Sequence, residues 1–86
     1  MKIQVKKFGE ILTSRVEGRE ACLVSLAYLK PVQKEEPIEL DFDGVKVLTP
    51  AWADEFISGL RAEYGHRLIC LPSTNPTVIA SLQILS

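Results

Sequence analysis

Residues 38–56 read IELDFDGVKVLTPAWADEF, and they decide the fold because a strand, a turn and a helix start follow one another there. Apolar and acidic residues alternate over residues 38–43, which predicts a strand with one buried face. Asp43-Gly44 is typical of a tight turn. Thr49 and Pro50 are the residue types preferred at the N-cap and first position of a helix.

The segment before this stretch predicts a strand and a helix. Residues 2–6 alternate with period two, which predicts a half-buried first strand. Ser14 and Glu17 have the spacing of a capping box, so we expect a helix over Arg15–Leu29. Its predicted core side carries Cys22, Leu23, Leu26, Ala27 and Leu29. Residues 30–37 are charged and contain two prolines, which predicts a loop.

The segment after this stretch completes the pattern. The second helix carries a predicted core stripe that ends at Gly65, a residue suited to a helix C-terminus. The stripe consists of Ala53, Phe56, Ile57, Leu60 and Tyr64. Residues 67–71 form a continuous apolar run typical of an interior strand, and residues 72–76 repeat the capping pattern before a final helix over residues 77–85.

The predicted element order is βαβαβα, which indicates a single small α/β domain over residues 1–86. A largely parallel sheet follows from that order. Because the strand at residues 38–43 alternates instead of being apolar throughout, we expect the helices mainly on one face of the sheet.

Composition limits the classes of function. A net charge of -1 provides no long-range field for nucleic acid, and no apolar run has the roughly 20 residues of a membrane span. We expect a cytoplasmic protein, with Cys22 and Cys70 as buried reduced thiols. A chain of this length buries only roughly 60–65% of its unfolded surface, so a homodimer or a larger partner would add stability.

Catalytic and cofactor motifs are absent from the sequence. His66 is the only histidine, and no nucleotide-binding loop or metal-ligand motif is present, so we expect a non-enzymatic protein with no cofactor. Glu39, Asp41 and Asp43 share a strand face but are too widely spaced to hold one metal ion together. Cross-strand pairing with Lys2, Gln4 and Lys6 is their expected use.

Hydroxyl and amide side chains follow each predicted strand, at the starts of the helices. In a parallel sheet these segments emerge at the same rim, which is where open α/β folds bind ligands. The residues are Ser14, Thr49, Thr74 and Asn75. They are either ordinary helix caps or part of a small-molecule, nucleotide or anion sensor that uses the free N–H groups of the helix starts.

Several motifs together resemble those of the STAS-like domains of unknown function, relatives of the STAS domains of sulphate transporters and anti-sigma-factor antagonists. The matching residues are 8–15, 18–21, 40–45, 50–56 and Tyr64-Gly65. The resemblance covers most of the chain and implies a non-enzymatic regulatory or interaction domain. In such systems the partner is often an ATP-binding kinase-like protein of the anti-sigma type.

The resemblance also places the regulatory site of the antagonists on this chain. They carry an Asp-Ser-Ser-Gly sequence whose first serine is phosphorylated, and alignment puts residues 49–52 at those four positions. The acceptor position is then Pro50, so the usual phosphoserine is absent. Thr49, one residue earlier, is the only nearby hydroxyl and is a candidate acceptor besides its role as a cap.

The N-terminal half of the second helix is the predicted partner-binding surface, together with the adjacent loops. Tryptophan is enriched at interface hot spots, so Trp52 is the candidate anchor, while Asp54 and Glu55 would orient a basic patch on the partner, with Thr49 beside them. The alternative is that the indole of Trp52 is buried against the sheet. The anchor hypothesis predicts that Trp52→Ala with Glu55→Lys abolishes binding and leaves the thermal melt nearly unchanged.

Overall fold

A computed structural model describes residues 1–30 and 35–85, so part of the predicted loop over residues 30–37 lies outside the described residues. The elements, in chain order, are β1 (Lys2–Gln4), a 3-10 turn (Val5–Phe8), β2 (Ile11–Leu12), α1 (Arg15–Leu29), β3 (Ile38–Asp41), β4 (Val47–Leu48), α2 (Pro50–Tyr64), a 3-10 turn (Gly65–Arg67), β5 (Leu68–Cys70) and α3 (Pro76–Leu85). The α/β class and the parallel sheet are confirmed.

The described strands pair in two groups, β1-β3-β5 and β2-β4, and every pairing is parallel. Lys2, Glu39 and Ile69 lie side by side on the open face of the larger sheet. The prediction that residues 67–71 form an interior strand is wrong, since β5 lies at an edge and Ile69 is 43% exposed. The strand β3, in which apolar and acidic residues alternate, is the central strand. Its place in the sheet is set by its pairing partners and not by its own hydrophobicity.

The first and second predicted strands are each interrupted by a turn, and the two turns are in contact. After β1 the chain turns through Val5–Phe8, so Lys6 is not on the strand as predicted. The neighbouring strand turns at Gly44, whose φ of 87° favours glycine. The stem of Lys6 lies against this turn, since a β-carbon on Gly44 would be 2.6 Å from its Cδ. Beyond the interruption, Ile11 pairs with Val47.

The predicted bounds and N-cap of α1 are confirmed, and of its predicted core residues Cys22 and Leu29 are buried and Leu26 is partly buried, but Leu23 and Ala27 are not. The hydroxyl oxygen of Ser14 accepts a hydrogen bond from Glu17 N–H at 3.3 Å, as a helix N-cap does. Leu23 is 61% exposed, and Ala27 is also exposed. The buried residues are Gly18, Ala21, Cys22, Ser25 and Leu29. Small residues let α1 approach α2 closely, and this turns Leu23 toward solvent.

The core lies between the sheet and the α1–α2 pair. The predicted stripe of α2 is confirmed, with Ala53, Phe56, Ile57 and Leu60 buried and Tyr64 partly buried. From the sheet side, Ile3, Leu40 and Leu68 pack into the same cluster. The helix ends at Gly65, whose N–H donates to the carbonyl of Arg61.

Candidate partner-binding site at the start of α2

Thr49 joins the start of α2 to the turn before α1. Its hydroxyl oxygen is the acceptor for Trp52 N–H at 3.5 Å, which is the predicted N-cap contact. The same hydroxyl donates to the carbonyl of Thr13 at 3.0 Å, and Thr49 N–H donates to the carbonyl of Leu12, also at 3.0 Å. The candidate phospho-acceptor oxygen therefore has structural partners on both sides.

The indole of Trp52 lies inside the protein and not on its surface. Trp52 is 1% exposed, and its ring centroid is 4.7 Å from that of Phe56 and 6.3 Å from that of Phe8. Offset aromatic contacts of this kind stabilise a core beyond the area they bury. Of the two hypotheses for Trp52, the structure agrees with burial, so a partner cannot use the indole as an anchor in this conformation.

Asp54 and Glu55 already have basic partners within the chain. Arg15 Nη1 lies 2.9 Å from Asp54 Oδ2 and 3.4 Å from Glu55 Oε1. Arg19 Nη2 lies 3.5 Å from the same Glu55 oxygen. We call these four side chains the charged cluster. It bridges the first two turns of α1 and of α2, and it presents both signs of charge to a partner instead of the purely acidic surface that the sequence predicts.

Hydrogen bonds set the protonation behaviour of the charged cluster. The bond from Arg15 lowers the pKa of Asp54, and a bond from Ser58 adds to this effect. The hydrogen bonds of Arg15 to Asp54 and to Glu55 raise the pKa of its guanidinium group. Both side chains are about half exposed, so water screens the pair and its contribution to stability is small.

The four predicted rim residues do not form one anion site. Ser14 and Thr49 cap α1 and α2. Asn75 caps α3, because its Oδ1 accepts from Thr77 N–H at 2.8 Å, and its Nδ2 donates to the carbonyl of Lys46 at 2.9 Å. Thr74 is exposed. The polar atoms of the three caps are thus used within the protein.

Thr74 and Asn75 line a pocket of about 420 Å³ between the β3–β4 turn and the segment before α3. Asp43 also lines this pocket, and its other lining residues are Phe42, Gly44, Val45, Pro72 and Ser73. A carboxylate in the lining repels phosphate. Lys6 lies against Gly44 beside this pocket, with its Nζ 3.6 Å from the position of a β-carbon there, so the pocket has one acidic and one basic neighbour and no net positive charge for an anion.

The groups most able to do chemistry are separated in the fold. His66 is exposed in the turn after α2. Burial raises the pKa of the thiols of Cys22 and Cys70, which keeps them protonated and weakly nucleophilic. In the part of the chain that the structure describes, no three potential ligands gather into a metal site, and no helix is long and apolar enough to cross a bilayer.

The fold is that of a small α/β domain with parallel strands, as the sequence motifs predict. A protein-family profile described as the STAS-like domain of unknown function (DUF4325) matches residues 26–78, which is more than half of the chain. The chain belongs to this family. Neither the curated proteins nor the solved structures gave a match.

Sequence reasoning missed the arginines of the charged cluster. Arg15 and Arg19 precede Asp54 and Glu55 by 36 to 40 positions, so their contact depends on how α1 packs against α2. One signal was available: both arginines and both acids lie within the first two turns of their helices, and the starts of neighbouring parallel crossovers meet at one rim.

Proposed function

We propose that this domain is a non-enzymatic regulatory module that binds a partner protein through the N-terminal half of α2 and the adjacent loops. The observation that carries the proposal is the charged cluster on a rigid aromatic support. Arg15 and Asp54 are about half exposed, while Trp52 and Phe56 beneath them are buried. Exposed charges on a fixed support steer and orient a partner without an ordering cost.

The partner we propose is a protein with both basic and acidic side chains, and an ATP-binding kinase-like protein of the anti-sigma type is the first candidate because of the family. Each charged side chain of the cluster can give up its ion pair within the domain and form an ion pair with the partner instead. Binding through such exchange is selective, since an incorrect partner leaves desolvated charges unpaired.

The role of Trp52 in this proposal is to hold the surface in place. Truncating a buried aromatic side chain costs roughly 3–5 kcal/mol, a large part of the stability of a domain of this size. Trp52→Ala would therefore unfold the domain and would not test binding. For the variant Trp52→Ala with Glu55→Lys we therefore expect a lower melting temperature and not the unchanged melt of the anchor hypothesis, because the Trp52 side chain is in the core.

The test uses a photo-crosslinking residue at Ser58, which is exposed and hydrogen-bonds to Asp54. The captured protein is purified, and its dissociation constant is measured with the wild-type domain and with Asp54→Lys/Glu55→Lys. We expect binding to weaken at least about tenfold, as for loss of complementary charge. Glu63→Lys, on the exposed face near the end of α2, is the control. Equal affinities for all three proteins would refute the proposed surface.

Thr49 is the proposed point of regulation. A phosphate there would add about -1.5 to -2 charges at a helix N-terminus and would remove the hydroxyl proton donated to Thr13. Intact-mass measurement after incubation with the partner and ATP tests this step. The expected gain of one phosphate must be absent in Thr49→Val.

We favour this function over the anion sensor, because the caps are satisfied internally and Asp43 lines the adjacent pocket. A thermal-shift series with phosphate and ATP distinguishes the two. A ligand at 100 times its dissociation constant would add about 2.7 kcal/mol of stability. We expect no shift, and a saturable shift would instead establish the sensor.

A further inference from the structure

The outer face of α1 carries mostly apolar side chains, with the exposed Glu17 and Glu20 among them, and is not covered by any described part of the chain. Four large apolar side chains on this helix are each 53–62% exposed. They are Val16, Leu23, Val24 and Tyr28, and the exposed Ala27 lies among them. At 100° per residue, these positions fall within an arc of about 140°. Isolated exposed apolar residues are ordinary, but a continuous helix face of this kind marks an interaction surface.

A pocket of about 230 Å³ adjoins this face. Its lining combines aromatic and acidic side chains: Phe8, Glu17, Glu20, Ala21, Val24 and Trp52. The Phe8 ring is held in place, because its centroid lies 5.7 Å from that of Phe56 and the ring packs against the buried indole of Trp52. Aromatic rings beside carboxylates attract cations, since ring faces and carboxylates are both negative.

The charges around this pocket leave a net negative site. Neither Glu17 nor Glu20 has an ion pair within residues 1–30 and 35–85. Among the described residues, Lys7 places its Nζ 5.3 Å from the centroid of Phe8 and 4.6 Å from that of Tyr28. Its single charge offsets one of the two carboxylates, and it shows that these rings accept an ammonium group.

This surface is separate from the charged cluster. On the helical wheel, Arg15 and Arg19 lie on the flank of α1 that faces Asp54, whereas Glu20 lies near the middle of the exposed arc and Glu17 near its far edge. The arginines therefore cannot neutralise these two acids without leaving the cluster. The two acids within the exposed face are therefore available to a partner.

We infer that the outer face of α1 is a second docking surface, and that its ligand is a basic amphipathic segment of a partner protein. An arginine or lysine of the segment enters the pocket between Glu17 and Glu20 and lies over the aromatic rings. Its apolar residues cover Leu23, Val24 and Tyr28. A helix laid in this way uses anchors at i, i+3, i+4 and i+7, with a long basic side chain at the centre as the hot spot.

A second copy of this chain fits the surface less well than a basic partner does. A two-fold axis through the middle of the face would bring Glu20 of the two copies together. Like charges in a forming interface destabilise it, whereas a basic segment removes the repulsion between Glu17 and Glu20.

The experiment titrates the whole domain with a synthetic helical peptide that carries leucines at i, i+3, i+4 and i+7 and two arginines beside them. A matched peptide has glutamates in place of the arginines. Calorimetry gives the dissociation constant, and the fluorescence of Trp52, the single tryptophan, reports on the pocket. We expect the arginine peptide to bind at least about tenfold more tightly than the glutamate peptide.

Matched variants locate the binding. Glu20→Lys must weaken the binding of the arginine peptide about tenfold. Glu63→Lys, with the same change of charge on α2, must leave the dissociation constant within about twofold of that of the wild type. Leu23→Ser must weaken it as well, and Ile84→Ser, equally exposed on α3, must not. Circular dichroism verifies the fold of each variant.

Three outcomes would overturn the inference: no binding of the arginine peptide, equal binding of both peptides, or equal effects of Glu20→Lys and Glu63→Lys. A domain that sediments as a dimer and becomes a monomer in Leu23→Ser would also overturn it, because a second copy would then cover the face. None of these results depends on Asp54 or Glu55, so the function proposed above is tested separately.

Discussion

Gly18 of α1 lies directly against the backbone of Trp52 in α2. A β-carbon on Gly18 would be 2.5 Å from the carbonyl oxygen of Trp52 and 3.0 Å from its Cα. Backbone cannot move aside as a flexible side chain can. The glycine that weakens α1 as an isolated helix is therefore required for the contact between the two helices, and this contact positions the charged cluster.

Gly18→Ala should destabilise the domain even though alanine is the better helix former. The propensity gain is up to about 1 kcal/mol, and overpacking costs about 1–3 kcal/mol. We expect a net loss of about 1–2 kcal/mol in urea unfolding. Glu20→Ala, exposed on the same helix, is the control and should change stability by less than about 0.5 kcal/mol. A stabilised Gly18→Ala would show that the helices separate freely.

Two buried serines should respond in opposite directions to alanine. The hydroxyl of Ser25 is buried in α1 with no hydrogen-bond partner in the described structure, whereas that of Ser81 donates to the carbonyl of Leu48 at 2.8 Å. Ser25→Ala removes an unsatisfied polar group and should raise the free energy of unfolding by about 1 kcal/mol. Ser81→Ala should lower it by about 1–2 kcal/mol. Chemical denaturation measures both, and effects of the same sign would contradict this prediction.

Acid should weaken the contact between α1 and α2. Because the folded state lowers the pKa of Asp54 below its ordinary value of 3.8, the contribution of this group is present above that value and is lost as the pH falls through the lowered pKa. We expect Arg15→Gln to lose less stability than the wild type between pH 6 and pH 2. Denaturation at a series of pH values checks this, with Arg61→Gln as the control. Parallel curves for all three proteins would argue against the pairing.

The two bonds of the Thr49 hydroxyl should be visible in stability. Thr49→Ala removes the cap of α2 and the link to Thr13, and should cost about 1–2 kcal/mol. Thr49→Ser keeps the oxygen and should cost less than half as much. Thermal melts of the two variants test the prediction. Equal losses would assign the effect to the methyl group and not to the hydroxyl.

Local chemistry explains which parts of the fold were predictable. The N-caps at Ser14 and Thr49 and the C-cap at Gly65 depend on neighbours a few residues away, so the helix bounds followed from the sequence. The rotation of α1 did not, because it depends on the contact of Gly18 with a residue 34 positions later. The same long-range packing buries Trp52. Its position beside the core stripe of α2 did not show, from the sequence, whether the indole is buried or exposed.

The sequence identified the residues of the candidate site but not how their side chains pair. Residues near the start of α2 were identified from the resemblance and from helix chemistry. The pairing of Asp54 and Glu55 with arginines of another helix was not, because side-chain pairs distant in sequence leave no local pattern. The edge position of β5 was missed for a related reason, since strand order is decided by pairing partners.

Because the first two predicted strands are interrupted at contacting turns, the starts of α1 and α2 are held by one short pair of strands beyond those turns. Past the Lys6–Gly44 contact, the short β2-β4 pair leads directly into α1 and α2, and Thr49 fastens the two junctions to each other. If a bound protein shifts the beginning of α2, these contacts are the route by which α1 and the pocket at Glu20 would move with it. By linkage, occupancy at either surface would change affinity at the other by the same factor. The domain would then transmit a signal between two partners instead of reporting a single one.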